Sequence, residues 1–249
     1  MKLIAVLVVF VMLVAAAAAA FAPAVLLDRR LEAETQGQLR LANAEGSIWN
    51  GRGLLTNAQR TWSLPIAWKI APLEIARGSF AIALLGGPNG GDTRGDFAWR
   101  DGTLTAQGVA LAVPSSAIGG AMAAGNAVAL GGTMVLDASH LSWGRNGGDG
   151  AATVRWNGAR AASDAGVISL GTVTVTGAPR DGRVHGRVEN RDGDVRVDGQ
   201  FTWSDAGVEV TATLSALPST PPTVVRALAA LGTPDASGAV HVQWRSGPS

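Results

Sequence analysis

The stretch Trp62-Ser63-Leu64-Pro65-Ile66-Ala67-Trp68-Lys69-Ile70 decides the fold class of this 249-residue chain. Large apolar residues occupy every second position of it, five times in succession. Because successive side chains of a β-strand point to opposite faces, this period of two predicts a strand with one apolar face. The same period returns at residues 173–175, 208–214 and 240–244. The sequence therefore predicts a mainly β fold, a large antiparallel sheet with one face packed and one face wet.

Turn signals separate the alternating runs. Asp101-Gly102, Asp181-Gly182 and Asp192-Gly193 supply the positive φ angles that tight hairpins need, and residues 147–150 form a further glycine-rich turn signal. Residues 115–124 and 220–231 instead carry apolar side chains at helical spacing, near Pro and Ser or Thr, and each run ends at a glycine. We expect two short helices there.

Part of the chain is repeated. At an offset of 104, residues 95–116 match residues 199–220 at seven of 22 positions, among them Phe97 with Phe201 and Trp99 with Trp203. Both copies then enter a predicted helix. This pattern indicates two duplicated halves, about residues 28–138 and 139–249. Chance similarity in a chain rich in alanine and glycine is the alternative.

The chain begins with an apolar run. Residues 3–27 contain no charged side chain, and a helix of that length would reach about 37 Å, enough to cross a bilayer core. We predict a transmembrane anchor at residues 1–27 and an exported domain at residues 28–249. A cleaved signal peptide is the alternative, because residues 15–22 offer Ala-x-Ala sites. Lys2 before the run and Arg29-Arg30 after it favour opposite orientations.

Composition excludes several functions. The net charge is +1 with no Cys, which argues against nucleic-acid binding, disulfides and thiolate chemistry. His140, His185 and His241 each lie in a strand pattern without the signature of a catalytic partner or a zinc site. The acidic run at residues 189–198 departs from the spacing of a calcium loop and predicts a solvated hairpin. We therefore expect no enzyme activity, no cofactor, no metal and no small-molecule substrate.

Eight Trp residues and no Tyr are present. Most of the Trp residues fall in the apolar phase of their strands, so we predict that they pack in the core. They are Trp49, Trp62, Trp68, Trp99, Trp143, Trp156, Trp203 and Trp244.

Several short motifs together resemble the type II secretion system protein N family. They are Glu45-Gly46-Ser47-Ile48-Trp49-Asn50-Gly51, Trp68-Lys69-Ile70-Ala71-Pro72-Leu73, Leu141-Ser142-Trp143 and Leu228-Ala229-Ala230-Leu231-Gly232-Thr233-Pro234. The resemblance covers nearly the whole chain. Its most specific element is the Gly-x-(apolar)-Trp-x-Gly turn.

The resemblance implies a single-pass inner-membrane protein with a cytoplasmic N-terminus and a curved, β-rich periplasmic domain. Its implied role is non-enzymatic: assisting the export of folded proteins across the outer membrane, with other inner-membrane components of the machinery and the secretin as partners. The glycines beside Trp49 would let that ring fold over the sheet. The residues that carry the family pattern are Gly46, Trp49, Gly51, Trp68, Trp143 and Gly232.

A lipid-handling envelope protein of the AsmA or TamB type is the rival interpretation. Such proteins share an anchor and repeated strands. A lipid carrier would leave a contiguous apolar face open, whereas an assembly subunit would cover that face with its own two helices. The two interpretations therefore differ in how much of the apolar face is covered.

Overall fold

A computed structural model describes residues 21–87, 91–117, 129–145, 147–163, 166–218 and 220–246. Within these residues the chain forms fourteen β-strands and three α-helices. The contacts divide the chain into two units, the first ending at Arg94 and the second beginning at Gly95. The prediction of a mainly β, antiparallel fold is confirmed.

Unit 1 is an antiparallel meander that follows a helix. Its strands pair in the order β1-β2-β3-β4. The elements are α1 (Val25–Glu34), β1 (Leu39–Gly46), β2 (Asn50–Asn57), β3 (Ser63–Ile70), α2 (Pro72–Ala76) and β4 (Phe80–Leu84). Neither α1 nor α2 was predicted as a helix of this domain.

Unit 2 is also an antiparallel meander, and its strands are longer. Eight of its strands pair antiparallel in the order β6-β7-β9-β10-β11-β12-β13-β14. The short strand β8 pairs with the end of β7. The elements are β5 (Arg94–Arg100), β6 (Thr103–Pro114), β7 (Ala129–Gly144), β8 (Gly147–Gly150), β9 (Ala152–Ser163), β10 (Gly166–Arg180), β11 (Arg183–Arg191), β12 (Val195–Ser204), β13 (Gly207–Ala216), α3 (Pro222–Leu231) and β14 (Ala239–Arg245).

The Asp-Gly turns behave as predicted at two hairpins. Asp101 and Gly102 have φ angles of 51° and 76°, and Asp181 and Gly182 have φ angles of 53° and 71°. Two consecutive positive φ angles match the right-handed twist of the flanking strands. The turn predicted at residues 147–150 is wrong, because these residues form β8. Four residues of poor strand propensity are held extended there by pairing with β7.

One of the two predicted helices is described. Helix α3 begins after Pro221 and ends before Gly232, close to the predicted 220–231. Thr220 does not cap it: its hydroxyl donates to the Asp194 carbonyl and accepts from the Leu217 N–H. Most of the helix predicted at residues 115–124 lies outside the described residues. The predicted curvature of the sheet stays a prediction.

The repeat corresponds to two β-hairpins. The first copy is β5–β6 and the second is β12–β13, and their strand ends differ by the same offset of 104, from Arg100 to Ser204 and from Thr103 to Gly207. Each hairpin is followed along the chain by a strand that pairs with its second strand. Both copies lie in unit 2, and the half-repeat boundary at residues 138–139 falls inside β7.

The end of the predicted anchor is part of unit 1. Helix α1 begins at Val25, so the predicted limit at residue 27 falls inside a helix that continues to Glu34. Ala24 is buried with Leu41, and Leu27 packs against the same cluster. Residues 1–20 lie outside the described residues. Among the helices that are described, none has the length and apolarity to cross a bilayer.

The buried side chains form three small clusters on one face of the strands. In unit 1, Ala24, Leu41 and Trp68 form one cluster. In unit 2, α3 packs on β12 and β14 through a second cluster, and β6 and β7 share the third. The second is Val195, Val224, Leu228 and Val240, and the third is Ala106, Val109 and Ala138. The one-sided packing agrees with the period of two in the sequence.

Helix α1 closes the outer edge of β1 with side chains. The Asp28 carboxylate accepts a 2.7 Å hydrogen bond from the Leu41 N–H, and the Thr35 hydroxyl accepts a 3.1 Å bond from the Leu39 N–H. Arg40 holds Asp28 with two further bonds, 3.0 Å from Nε and 2.7 Å from Nη2. The outward backbone N–H groups of Leu39 and Leu41 are thereby satisfied within unit 1.

The contact between Asp28 and Arg40 shifts the pKa values of both side chains. Hydrogen bonding from Arg40, and then the Leu41 N–H, holds the pKa of the Asp28 carboxyl below its usual value, although burial opposes the shift. The same contact raises the pKa of Arg40. Asp28 is nearly buried while Arg40 remains partly exposed, so the bond combines a desolvated acceptor with a solvated donor.

We expect replacement of Asp28 to destabilise unit 1. Asp28→Ala leaves the Leu41 N–H and the Arg40 guanidinium without their acceptor and should lower the free energy of unfolding by about 2–3 kcal/mol. Asp28→Asn keeps an acceptor oxygen and should cost about 1 kcal/mol. Urea unfolding of the full chain in detergent measures both values.

The pH dependence of this pair has a defined sign. Because the folded pKa of Asp28 is lowered, its ionic contribution is present above the unfolded pKa, near 4, and is lost as the pH falls through the folded pKa. The stability difference between the natural chain and Asp28→Asn should therefore shrink below about pH 4. A difference that grows in acid would contradict this assignment.

Candidate functional site

The turn that carries the most specific family motif joins β1 to β2. Ser47 N donates to the Asn50 carbonyl at 2.9 Å, and the Ser47 hydroxyl accepts from Asn50 N at 3.1 Å and from Trp49 N at 3.3 Å. Gly46 has a φ of 87°, and a Cβ there would lie 2.5 Å from the Asn50 carbonyl oxygen. Both the backbone angle and the space therefore require glycine at position 46.

Gly51 lies directly opposite Trp68 on the neighbouring strand. A Cβ on Gly51 would lie 2.5 Å from Cζ2 of the indole ring and 2.6 Å from the Glu45 carbonyl oxygen. Trp68 is only 2% exposed, and its indole N–H donates to the Ile48 carbonyl at 3.1 Å. The absent side chain of Gly51 thus creates the space in which Trp68 is buried.

The ring that lies against Gly51 is that of Trp68, its partner in the neighbouring strand. The prediction that the glycines beside Trp49 let its ring fold over the sheet stays a prediction. Trp49 is half-buried, and its carbonyl accepts a 2.7 Å bond from Ile70 N. The sequence analysis did not connect Gly51 with Trp68, because strand register brings residues 51 and 68 together across a separation that periodicity does not encode.

The segment before α1 is fixed to the same turn. Ala24 N donates to the Gly46 carbonyl at 3.1 Å, and Ile48 N donates to the Ala22 carbonyl at 2.9 Å. Ala24 itself is 1% exposed. Any force on the chain before Ala22 would therefore reach the Gly46–Gly51 hairpin through two backbone hydrogen bonds.

The other family residues lie in unit 2. Trp143, in β7, is opposite Leu104 and Gly148, and its ring centroid lies 5.5 Å from that of Trp203. Gly232 follows α3, and a Cβ on it would approach a Val240 methyl group to 3.0 Å. Gly232 therefore allows the chain after α3 to run close to β14.

Aromatic rings over glycines recur in both units. Besides Trp68 over Gly51, a Cβ on Gly148 would lie 2.8 Å from the Trp143 ring. A Cβ on Gly186 would overlap the ring of Phe201, its partner in the adjacent strand. Rings that lie flat on cross-strand glycines bury apolar area in a sheet that has few covering helices. The sequence analysis missed this pattern, since only the register reveals it.

Three Trp residues contradict the prediction that these residues pack in the core. Trp99, Trp203 and Trp244 are 48%, 42% and 55% exposed. Each is the last residue but one of its strand, where the packing elements end, and the alternating phase that predicted burial continues past the covered part of the sheet. The remaining five are buried or half-buried.

The apolar face of unit 2 is only partly covered. Helix α3 buries Val195 and Val240 at one end of the strands. Further along the same face, paired apolar side chains are half-buried. These are Val154, Val175 and Val188, which are paired from β9 to β11, and Phe201 and Val210, which are paired between β12 and β13.

His241 forms a hydrogen-bonded cluster with Thr213 and Asp235. His241 Nδ1 lies 3.1 Å from the Thr213 hydroxyl, and its Nε2 lies 3.0 Å from a carboxylate oxygen of Asp235. Asp235 also accepts from the Ser237 hydroxyl at 2.6 Å and from Ala239 N at 3.1 Å. These bonds, with that of the Ser237 hydroxyl first, hold the pKa of the Asp235 carboxyl far below its usual value.

This cluster orders the turn into β14. The Asp235 carboxylate binds three groups of the 235–239 turn besides the imidazole, and both side chains are exposed. His140 is exposed on β7, and His185 contacts the Thr202 hydroxyl at 3.3 Å. Across the described residues, no three His, Asp or Glu side chains meet as a metal site. The hydrogen bonds of Asp235 position the backbone of the turn beside His241.

The acidic run at residues 189–198 is a hydrogen-bonded hairpin. The Asn190 amide donates to the Leu170 and Val195 carbonyls at 2.9 and 2.6 Å and accepts from Val197 N at 2.7 Å. Asp194 accepts from Ser169 N at 2.9 Å. The side-chain oxygens of Asn190 and Asp194 that a cation would need are occupied by backbone N–H groups.

Comparison with known proteins identifies one family. The model of the family described as "Type II secretion system (T2SS), protein N" matches residues 37–243. No curated protein and no solved structure matches the chain. The matched residues run from just before β1 into β14 and include all six residues of the predicted family pattern.

We expect Gly51→Ala to disrupt unit 1. The new methyl group would collide with the Trp68 ring and with the fixed Glu45 carbonyl, and overpacking of this kind costs about 1–3 kcal/mol. Gly86→Ala is the matched control, because a Cβ there makes only an ordinary 3.6 Å contact with Arg94. Limited proteolysis should cleave unit 1 faster in Gly51→Ala alone. Equal cleavage rates in the two variants would contradict the role of Gly51.

Proposed function

The chain belongs to the type II secretion system protein N family, and we propose that it is a non-enzymatic, inner-membrane-anchored component of that machinery. In this role its periplasmic β domain assists the export of folded proteins across the outer membrane. The observation that carries the proposal is the family match over residues 37–243, which spans strands of both units.

The anchor in this proposal is shorter than residues 1–27. Ala22, Ala24 and Leu27 contact unit 1, which leaves residues 3–20 as the apolar run available to a bilayer. Eighteen residues in a helix reach about 27 Å, close to the thickness of a bilayer core. The N-terminus is then cytoplasmic, and the two hydrogen bonds at Ala22 and Ala24 link the span directly to the Gly46–Gly51 hairpin.

The surface supports recognition by contact. Its strands present long polar and apolar rows, and the hydrogen bonds given for His185 and His241 join neighbouring strands or order a turn. The partners proposed here are other inner-membrane components of the secretion machinery and the secretin. Contact along strands and edges is a general way in which β domains bind such partners.

Secretion itself tests the proposal. Deletion of the chain should reduce the release of folded exoproteins several-fold, with the cargo retained in the periplasm, and the natural sequence should restore release. Asp28→Asn, which keeps the fold, should restore release as well, whereas Gly51→Ala should not. Mild crosslinking in the envelope should recover secretin or platform subunits. Undiminished release together with no recovered subunit would overturn the proposal.

Lipid handling is the second candidate, favoured by one observation. The row Val154, Val175, Val188, Phe201 and Val210 is half-buried and apolar, and α3 packs at one end of this face, on β12, β13 and β14. Val175→Glu and Val210→Glu place charges on that row. If purified chain carries phospholipid that these changes remove, while secretion is unaffected, the lipid role replaces the proposed one.

A further inference from the structure

Strand β14 is the outermost strand of the unit 2 sheet. Two hydrogen bonds show which of its backbone groups point towards β13 and which point outward. Ser246 N donates to the Val208 carbonyl at 2.9 Å, which places the even-numbered backbone groups towards β13. Asp235 N donates to the Ala239 carbonyl at 2.9 Å from the opposite side. Because these groups alternate along a strand, those of His241, Gln243 and Arg245 point away from the sheet.

The outer edge is open over only part of its length. The chain after α3 passes beside His241, since a Cβ on Gly232 would lie 3.6 Å from the His241 carbonyl oxygen. Beyond that point, no described residue bonds the outward backbone groups of Gln243 and Arg245. Two residues with free N–H and C=O groups are a template for another strand.

Strand β1 differs from β14 because two of its outward N–H groups already have acceptors, and this difference bears on which strand can pair with β14. The outward N–H groups of Leu39 and Leu41 are already bonded to Thr35 and Asp28. At β1 of another copy, β14 would find these two donors already occupied, which disfavours a head-to-tail contact that would continue into a filament. A contact between β14 edges, in contrast, closes as a twofold dimer.

We propose that β14 pairs antiparallel with β14 of a second copy about a twofold axis at Trp244. An antiparallel pairing that uses both open residues places Gln243 opposite Arg245 of the second copy. Each such pair exchanges two backbone hydrogen bonds. The two Trp244 side chains then face each other as a non-hydrogen-bonded pair, with Cα atoms about 4.5 Å apart.

Side-chain chemistry agrees with this register. Trp244 is 55% exposed in the single chain, and a cross-strand aromatic pair would cover part of its ring. Arg245 is neutralised by Glu209 at 2.6 Å, and it would lie opposite the uncharged Gln243. No like charges are therefore placed directly opposite each other. The pairing does not rest on the secretion role, which could stand without it.

A disulfide trap tests the register, because the natural chain contains no Cys. Two differently tagged full-length chains, one with Gln243→Cys and one with Arg245→Cys, are expressed together and oxidised in native membranes. Positions 243 and 245 of opposite copies would lie about 5.5 Å apart, within the range of a disulfide. In either single variant the two Cys would be about 8 Å apart, beyond that range. We expect the mixed pair to crosslink at least tenfold more.

Two exposed Trp residues provide the matched control. In the mixed-Cys background, Trp244→Ala should reduce the crosslink several-fold, whereas Trp99→Ala, equally exposed on β5, should leave it unchanged. Thr211→Cys, on the polar face of the neighbouring strand, should not crosslink. Absence of the mixed crosslink, strong crosslinking of Gln243→Cys alone, capture of another envelope protein instead of the second copy, or equal effects of the two Trp changes would each overturn the inference.

Discussion

An antiparallel sheet must end in strands whose outward backbone groups have no neighbouring strand, and this constraint shapes the ends of both units. In unit 1, side chains of the neighbouring helix α1 bond the outward N–H groups of Leu39 and Leu41. Asp28 and Thr35 of α1 accept the hydrogen bonds that a further strand would have taken from Leu41 and Leu39, and Arg40 holds the carboxylate in position. Helix α1 thereby fixes the entry of the chain and the first strand together. The Gly46–Gly51 hairpin and the buried Trp68 pack against the same segment.

The second constraint is the supply of buried apolar area. A meander with three described helices covers little of its own surface, so rings lie across strands on residues without side chains. Gly51, Gly148 and Gly186 each accommodate an aromatic ring in this way. This explains why a chain of low aromatic content combines eight Trp with 33 Gly. Three residues of the predicted family pattern, Gly51, Trp68 and Trp143, take part in this packing.

Much of the fold could be predicted from the sequence because its signals are local. The period of two at residues 62–70, the Asp-Gly turns and the helix before Gly232 each depend on neighbouring residues. The exposed Trp99, Trp203 and Trp244 could not be predicted, since the apolar phase continues beyond the covered part of each strand. The hydrogen bond from the Leu41 N–H of edge strand β1 to Asp28 could not be predicted either, because the two residues are 13 positions apart and belong to a strand and a helix. The sequence identified the Gly46–Gly51 turn as part of the family pattern, but it could not show that Trp68 lies against Gly51, because that contact depends on strand register.

The chain belongs to a family of secretion components, and its described residues include one closed and one open strand edge. Its first strand is closed by its own helix, which ties the turn with the family motif to the chain leading to the apolar N-terminal run. Amide hydrogen exchange of the full chain in detergent tests this closure most directly. The account predicts that the Leu39 and Leu41 amides, which face outward from an edge strand, exchange orders of magnitude more slowly than an open-edge amide. Exchange of both at the rate of an unstructured peptide would contradict it.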